Sequence, residues 1–261
     1  MVAANGRAKQ VDQSVLNSLA ENGGLIRADG GMVLMTAGAK NALLASVVNN
    51  TGVIEARTVE DHNGTIILQG GMQAGEVKVG GTLDASAPNG GDGGFIETSA
   101  AQVHVVSDAR VSTAAPLGSF GTWLIDPQDF RVAATGGDIS GATLSANLAS
   151  TPVSVHSSGG GSTGSGNIDI DDAVSWSADT TLTLTASKHV NVNANIAATG
   201  NAAGLAINPN TANGGEAASG DGAFNLNNGA SVTLSGTNPS LAIAGTSYTV
   251  INSLGVEGDT S

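Results

Sequence analysis

Residues 52–113 read GVIEARTVEDHNGTIILQGGMQAGEVKVGGTLDASAPNGGDGGFIETSAAQVHVVSDARVST, and this stretch repeats itself. Its opening Gly52-Val53-Ile54-Glu55-Ala56 returns as Gly81-Thr82-Leu83-Asp84-Ala85 and, more loosely, as Ala109-Arg110-Val111-Ser112-Thr113, and an earlier copy is Gly24-Leu25-Ile26-Arg27-Ala28. The central apolar residues of the four copies, at positions 26, 54, 83 and 111, are 28, 29 and 28 residues apart. A near-constant period of this length is typical of a solenoid, whose units cannot bury their apolar faces alone.

A second strand-like run follows each copy after a Gly-rich bend. The four runs are Gly31-Met32-Val33-Leu34-Met35, Gly64-Thr65-Ile66-Ile67-Leu68, Gly94-Phe95-Ile96-Glu97-Thr98 and Gly121-Thr122-Trp123-Leu124-Ile125. They are too short to show the three- and four-residue apolar spacing of a helix. We therefore expect an all-β, elongated parallel β-helix, in which Ile54 lies beside Leu83 and Leu83 beside Val111 at about 4.8 Å.

Composition favours the same architecture. The chain has 261 residues with 38 Gly and only 3% aromatic residues, which suits a narrow interior filled by Val, Ile, Leu and Ala. Nine Lys and Arg against 22 Asp and Glu give a net charge of −13, and Lys188 is the only Lys or Arg after Arg131. Nucleic-acid binding needs clustered basic residues and is therefore not expected. We interpret the acidity mainly as a solvated surface.

The absence of cysteine and of long apolar runs excludes several other classes of protein. With no Cys, the chain has neither disulfides nor a thiolate metal site. Because no stretch approaches the roughly 20 apolar residues of a membrane span, membrane insertion is not expected. No apolar run typical of a signal peptide follows Met1, so an exported protein would need an export signal outside this segment.

Four segments are expected along the chain. Residues 1–22 are interpreted as a lead-in, with one or two helical turns or, preferably, an irregular course over Val11–Ala20 packed on the first unit. Residues 23–130 hold the regular repeats, in which Ala39–Val48 is either a short helix or a buried strand. Residues 131–166 form an irregular Gly/Ser-rich region. Residues 167–261 continue the β-helix with a degenerate repeat.

Three stretches and a C-terminal segment resemble a known family. They are Val47-Val48-Asn49-Asn50-Thr51-Gly52-Val53-Ile54-Glu55-Ala56-Arg57, Gly90-Gly91-Asp92-Gly93-Gly94-Phe95-Ile96-Glu97-Thr98-Ser99, Gly121-Thr122-Trp123-Leu124-Ile125-Asp126-Pro127 and Tyr248-Thr249-Val250-Ile251-Asn252-Ser253-Leu254. With these the chain is similar to the filamentous-haemagglutinin-like exoproteins of bacterial two-partner secretion. The resemblance implies a right-handed β-helix shaft that is exported through an outer-membrane partner and used in adhesion or biofilm formation.

One feature departs from that family. Its secretion domain carries Asn-Pro-Asn motifs near the mature N-terminus, whereas here Asn208-Pro209-Asn210 is the single such triplet and lies far along the chain. We therefore interpret the chain as an internal or C-terminal shaft segment, and not as the part that the transporter recognises.

The acidic run Asp169-Ile170-Asp171-Asp172 is the densest cluster of carboxylates. On a strand Asp169 and Asp171 face the same side, so a hydrolase pair or a Ca²⁺ site is conceivable beside the simpler interpretation as an exposed turn. Gly90-Gly91-Asp92-Gly93-Gly94 resembles a calcium-binding β-roll repeat but occurs once, which favours a plain turn. The four histidines, His62, His104, His156 and His189, are scattered without i,i+4 pairs.

Phe120, Trp123 and Phe130 are clustered in an aromatic-poor chain. Aromatic rings stack on sugars, so these three residues are candidate contacts to a glycan or partner, with a structural cap as the alternative. No catalytic triad, phosphate loop or dinucleotide motif is present, and no cofactor is expected. The sequence thus predicts a non-enzymatic shaft segment of a secreted adhesin that contacts host-cell or matrix glycans or proteins, with a β-helix polysaccharide lyase or glycoside hydrolase as the alternative.

Overall fold

The computed structural model describes residues 8–14, 18–38, 46–158, 164–211 and 220–251. These residues form a mostly β fold built from parallel sheets, with a single short helix among them. In the N-terminal half the strands come in sets of three per repeat unit. They are β1 (Ala8–Ser14), β2 (Ser18–Asn22), β3 (Leu25–Arg27), β4 (Met32–Gly38), β5 (Ser46–Asn50), β6 (Val53–Glu55), β7 (Thr65–Gln69), β8 (Gly75–Val79), β9 (Thr82–Asp84), β10 (Phe95–Ser99), β11 (Gln102–Val105) and β12 (Arg110–Ser112).

The C-terminal half continues with shorter strands. They are β13 (Thr122–Asp126), β14 (Phe130–Val132), then the helix α1 (Gly141–Leu148), β15 (Val153–Ser157), β16 (Ile168–Ile170), β17 (Val174–Trp176), β18 (Thr181–Ala186), β19 (Val190–Val192), β20 (Ile196–Ala198), β21 (Gly204–Asn208), β22 (Phe224–Leu226), β23 (Val232–Leu234), β24 (Ser240–Ile243) and β25 (Thr246–Tyr248).

Each strand pairs in parallel with the equivalent strand of the next unit. One ten-stranded sheet runs through the described chain in the order β1-β4-β7-β10-β13-β15-β18-β21-β24-β25, and only its last pair is antiparallel. The other sheets are β11-β8-β5-β2 and β12-β9-β6-β3 in the first half, and β14-β16-β19-β22 and β17-β20-β23 in the second. The chain therefore passes through three sheets in turn before it returns to the first.

The predicted ladder of equivalent residues is confirmed by the register. Ile26 pairs with Ile54, Ile54 with Leu83, and Leu83 with Val111. In the ten-stranded sheet the second predicted run is also in register, since Val33, Ile66 and Ile96 are successive partners. The sequence repeat is thus the pairing period of the sheets.

Alternation along the strands places one face of each sheet in a shared core. In β4 the burial alternates from Met32 to Gly38, so that Val33 and Met35 are fully buried, and β18 alternates in the same way. Buried residues from all five sheets join one apolar cluster that consists largely of Val, Ile, Leu and Ala.

The N-terminal expectation is corrected by the structure. Residues 8–14 and 18–22, interpreted as an irregular lead-in, form β1 and β2, which pair in parallel with β4 and β5. Each unit has three strands instead of the two predicted, because β2, β5, β8 and β11 form a sheet of their own. In the segment Ala39–Val48, residues 46–48 belong to a strand, and residues 39–45 lie outside the described part of the chain.

The expectation of an irregular region at residues 131–166 is wrong for the 8 residues of α1 and the 5 residues of β15. Ser140 is the N-cap, and its hydroxyl accepts the N–H of Thr143. Near the end of α1, Asn147 Oδ1 accepts the N–H of Val111 at 2.7 Å, and the hydroxyl of Thr151 accepts the N–H of Thr113 at 3.1 Å. These side chains accept hydrogen bonds from backbone N–H groups at the edge of β12. The helix α1 therefore takes the place of one strand between the sheet that ends at β12 and the sheet that begins at β17.

The C-terminal half repeats with a different period, as the sequence suggested. Ile168 pairs with Val190, 22 residues on, and Val190 with Phe224, 34 residues on. The last strand of the described chain is β25, Thr246–Tyr248. It pairs antiparallel with β24 and forms the edge of the ten-stranded sheet.

Candidate functional site

The acidic run that suggested catalysis is tied into the sheets by hydrogen bonds. Asp171 Oδ2 accepts Arg131 Nε at 2.6 Å, and Asp171 Oδ1 accepts Asn193 Nδ2 at 2.6 Å. Burial alone would raise the pKa of Asp171, but the hydrogen bonds from Asn193 and Arg131 outweigh it and lower this pKa. Asp169 accepts Asn191 Nδ2 at 2.7 Å. Asp169 and Asp171 are therefore hydrogen-bonded parts of a ladder on the surface.

Asp172 has a different structural role. Its Oδ2 accepts the backbone N–H of Gly141 at 2.8 Å, next to the first turn of α1. A carboxylate is favourable there because the N-terminus of a helix carries partial positive charge. The three acids of the run therefore do not converge on one point.

The ladder continues along the sheet β14-β16-β19-β22 as two rows of amides. Asn225 donates to Asn191 at 2.8 Å, and Asn227 donates to Asn193 at 3.0 Å. The partners lie 34 residues apart in sequence, so the pairing period sets these bonds. Stacked amides of this kind add hydrogen bonds between units on the outer face.

Charged residues of the N-terminal half are paired in the same way. Arg57 donates from Nε to Asp84 at 2.7 Å and from Nη2 to Glu55 at 2.8 Å, and Arg27 also donates to Glu55. Arg27, Glu55 and Asp84 are successive partners in the register, and Arg57 bonds to both acids. Each of these acids is thus engaged by an arginine.

A second pair of carboxyl groups lies on the outer face of the ten-stranded sheet. Glu97 and Asp126 belong to the neighbouring strands β10 and β13, where Ser99 is the direct partner of Asp126. The hydroxyl of Ser99 donates to Glu97 at 2.7 Å, while the buried Oδ1 of Asp126 has no hydrogen-bond partner within the described residues. Burial, and then the charge of Glu97, raise the pKa of Asp126 to about 6. Sequence reasoning missed this pair because the two acids are 29 positions apart.

The three aromatic candidates differ in how far they are buried. Trp123 and Phe130 are fully buried, and Trp123 Nε1 donates to the hydroxyl of Thr98 at 3.1 Å. Both rings pack inside the core as the structural alternative predicted, so neither contacts an external glycan. Phe120 is 41% exposed and remains a candidate for surface contact.

The histidines lie apart from one another. His104 Nδ1 is 3.0 Å from Asp138 Oδ1, and this hydrogen bond outweighs burial and raises the pKa of His104. Burial lowers the pKa of His156. His62 lies 2.8 Å from Asp61, and His189 Nδ1 accepts the N–H of Ala223. Within the described ranges, no three His, Asp or Glu side chains are grouped so that they could hold a metal ion.

The loops after β6 and β9 are neighbours. The N–H of Thr58 donates to the carbonyl of Ser86 at 2.9 Å, and the hydroxyl of Thr58 donates to the carbonyl of Asp92 at 2.7 Å. Asp92 Oδ1 in turn accepts the N–H of Ser119 in the next loop at 2.7 Å. The Gly90–Gly94 segment is therefore a turn within a stack of loops, with its carboxylate bonded to backbone.

A shallow groove runs between this stack of loops and the ten-stranded sheet. Its volume is about 240 Å³, and it is lined by Asn63, Gly64, Thr65, Gly93, Gly94, Phe95, Gly121 and Thr122. The lining contains one aromatic ring, two hydroxyls and one amide, but no charged side chain. The groove can therefore offer stacking and neutral hydrogen bonds.

The Asn208-Pro209-Asn210 triplet lies where β21 ends. Asn208 is the last residue of that strand, and Asn210 has a positive φ of 55° and donates its N–H to the carbonyl of Lys188 at 2.9 Å. The triplet thus lies in a turn at the end of that strand.

No helix in the described ranges has the length and apolar character needed to cross a membrane. Comparison of the chain with protein-family models, with curated proteins and with solved structures found no match.

Proposed function

We propose that the chain is a right-handed parallel β-helix that forms a structural shaft segment of a secreted bacterial surface adhesin, similar to the filamentous-haemagglutinin-like exoproteins. The observation that carries this proposal is the register of equivalent residues, in which Ile26, Ile54, Leu83 and Val111 follow one another as direct partners in four successive units. A stack of identical steps builds length, which is what a shaft requires.

The distribution of charge supports the same function. The ion pairs and amide rows join neighbouring units, as the contact between Arg57 and Asp84 illustrates. Such bonds stabilise the stack along its length and consume side chains that an enzyme would direct into a cleft. A net charge of −13 keeps the exposed sheets in solution.

In the full-length protein the segment would pass an outer-membrane two-partner secretion transporter and lie at the bacterial surface. There it would separate an adhesive region from the cell, support adhesion or biofilm formation, and contact host-cell or matrix glycans or proteins. It needs no cofactor for this role. The chain contains no cysteine that could oxidise during passage through the periplasm.

The adhesive role is tested with beads coated with the purified chain, counted on epithelial cells and on matrix-coated plates. The control is Gly121→Val, because a Cβ at Gly121 would lie 1.8 Å from the carbonyl oxygen of Gly94 and so disrupt the stack. We expect more adhesion with the native chain than with equal amounts of the variant. Equal adhesion would remove the adhesive part of the proposal.

A second candidate is a β-helix polysaccharide lyase or glycoside hydrolase, and the pair Glu97 and Asp126 is the observation that favours it. A carboxyl group whose pKa is raised beside a second carboxyl group is the arrangement that separates an acid from a base. The measurement is release of reducing or unsaturated ends from acidic and neutral polysaccharides between pH 4 and 8. Release that Asp126→Asn abolishes would favour the enzyme, and no release would favour the shaft.

A further inference from the structure

The groove at the edge of the ten-stranded sheet has a floor of glycine backbone. A Cβ at Gly94 would lie 2.1 Å from the carbonyl oxygen of Gly64, and one at Gly121 would lie 1.8 Å from the carbonyl oxygen of Gly94. Side chains are therefore excluded at this position in three successive units by the close stacking of the backbone. The groove is therefore lined by main chain along these glycines.

One wall of the groove is a row of side chains on the sheet. Thr65, Phe95 and Thr122 are direct partners in β7, β10 and β13, so the aromatic ring lies between two hydroxyl groups. All three are half-buried on the outer face. Asn63 adds a side-chain amide at the end of the neighbouring loop.

The polar groups of this groove are free to bind a ligand. Within the described part of the chain, no hydrogen bond engages the side chains of Asn63, Thr65 or Thr122, although most other polar side chains nearby are paired. The groove thus presents two hydroxyls and one amide as donors and acceptors around an apolar ring.

The absence of charge indicates the class of ligand. In a chain with a net charge of −13, a surface lined only by uncharged residues neither attracts a cation strongly nor places a carboxylate against an anion. A volume of about 240 Å³ is below the ~300–1,000 Å³ of sites for larger small molecules. A single neutral ring with several hydroxyl groups fits both properties.

We propose that this groove binds one pyranose ring of a neutral oligosaccharide, with Phe95 stacking on the apolar face of the sugar and Asn63, Thr65 and Thr122 hydrogen-bonding its hydroxyls. The inference rests on the proposed adhesive function and names its glycan class.

The test measures binding of cellotetraose, maltotetraose and a chitin tetramer to the full chain by calorimetry, with tetragalacturonate as the charged comparison. We expect saturable binding of at least one neutral tetramer, an affinity loss of about fivefold or more in Phe95→Ala, and retention in Phe95→Tyr. Thr122→Val should weaken binding several-fold. Thr181→Val is the matched control, since Thr181 is half-buried on the same sheet two strands away.

Amide chemical shifts provide a readout that needs no variant, because binding in the groove should shift Thr65, Phe95 and Thr122. Any of three results would overturn the proposed sugar site in the groove. They are binding of a neutral tetramer that Phe95→Ala leaves unchanged, binding of the charged tetramer alone, and no binding of any tetramer. Bead adhesion by the Phe95→Ala chain separates the two proposals. If the beads adhere but the chain binds no neutral sugar, the sugar site in the groove is refuted and the adhesive shaft is retained. If the native chain does not adhere at all, the proposed function is refuted.

Discussion

Replacing Asp126 by Asn should stabilise the protein at neutral pH. Burial and the charge of Glu97 raise the pKa of Asp126 from its ordinary 3.8 to about 6, and the buried Oδ1 of Asp126 has no hydrogen-bond partner within the described chain. The folded state therefore binds this proton more tightly than the unfolded state does. Ionised Asp126 destabilises the fold, and an amide of the same shape removes that charge.

The magnitude follows from the two pKa values. At about 1.4 kcal/mol for each pKa unit, the difference between about 6 and 3.8 gives an upper bound of about 3 kcal/mol. Asp126 is only half-buried, so solvent screening reduces the expected gain to about 1 to 1.5 kcal/mol. For a chain of this size that is a rise in Tm of about 2 to 5 °C.

Thermal unfolding followed by circular dichroism between pH 4 and 8 tests this prediction. The penalty is absent below the unfolded pKa and complete above the folded one, so the gain from Asp126→Asn should vanish near pH 4, grow through pH 5 to 6, and be complete by pH 7. The exposed residue Asp108 supplies the control, because Asp108→Asn makes the same charge change on the surface. A gain that does not depend on pH, or a loss at pH 7, would refute the reasoning.

Three further substitutions probe the stack. Asn147→Ala should cost about 1 to 3 kcal/mol, because it leaves a buried backbone N–H at the end of one sheet without an acceptor, whereas exposed Asn89→Ala should cost little in urea unfolding. Gly94→Ala should cost at least about 2 kcal/mol because its Cβ meets backbone, while Gly24→Ala, with open space around it, should be tolerated in the same assay. His104→Gln should lower Tm at pH 5.5 and have less effect at pH 9. Because the pKa of His104 is raised in the folded state, the stabilisation by this histidine is complete below about pH 6.5 and is lost as the pH rises through the raised pKa. An equal effect at both pH values would contradict the account.

The repeat in the sequence was sufficient to predict two of the three strands in each N-terminal unit. Ile54 and Leu83 could be aligned because the same small, apolar and acidic residues surround both. The third strand was missed because its members are short, and Gly75–Val79 and Gln102–Val105 share only two alternating valines. Alternation over four or five residues is too weak a signal without a repeated motif.

The helix α1 was missed for a related reason. It is eight residues long and begins with Gly141 in a region of small and polar residues, where its only strong signal is the N-cap Ser140. What holds it in place is tertiary, since Asn147 and Thr151 bond to the backbone of a strand more than 35 residues away. Such contacts cannot be inferred from local propensity.

The candidate sites, like the strands and the helix, could be predicted from the sequence only in part. Trp123 and Phe130 could be recognised as a cluster, but their burial depends on which face of each strand points inward. The partner of Asp171 is Arg131, 40 residues earlier, and the two meet only because β14 and β16 pair. The groove beside Phe95 depends on three glycines that stack across units, so neither its shape nor its neutral lining follows from any one segment.

The most direct test of the account measures how distance grows along the proposed β-helix. The chain has no cysteine, so spin labels can be placed in pairs at Leu34 with Ser154, Thr183 or Ala206, which occupy one outward row of the ten-stranded sheet. These pairs span four, five and six strand spacings, so the account predicts distances of about 19, 24 and 29 Å at ~4.8 Å per strand. Distances that fail to increase from one pair to the next would contradict the stacking of units along a single axis.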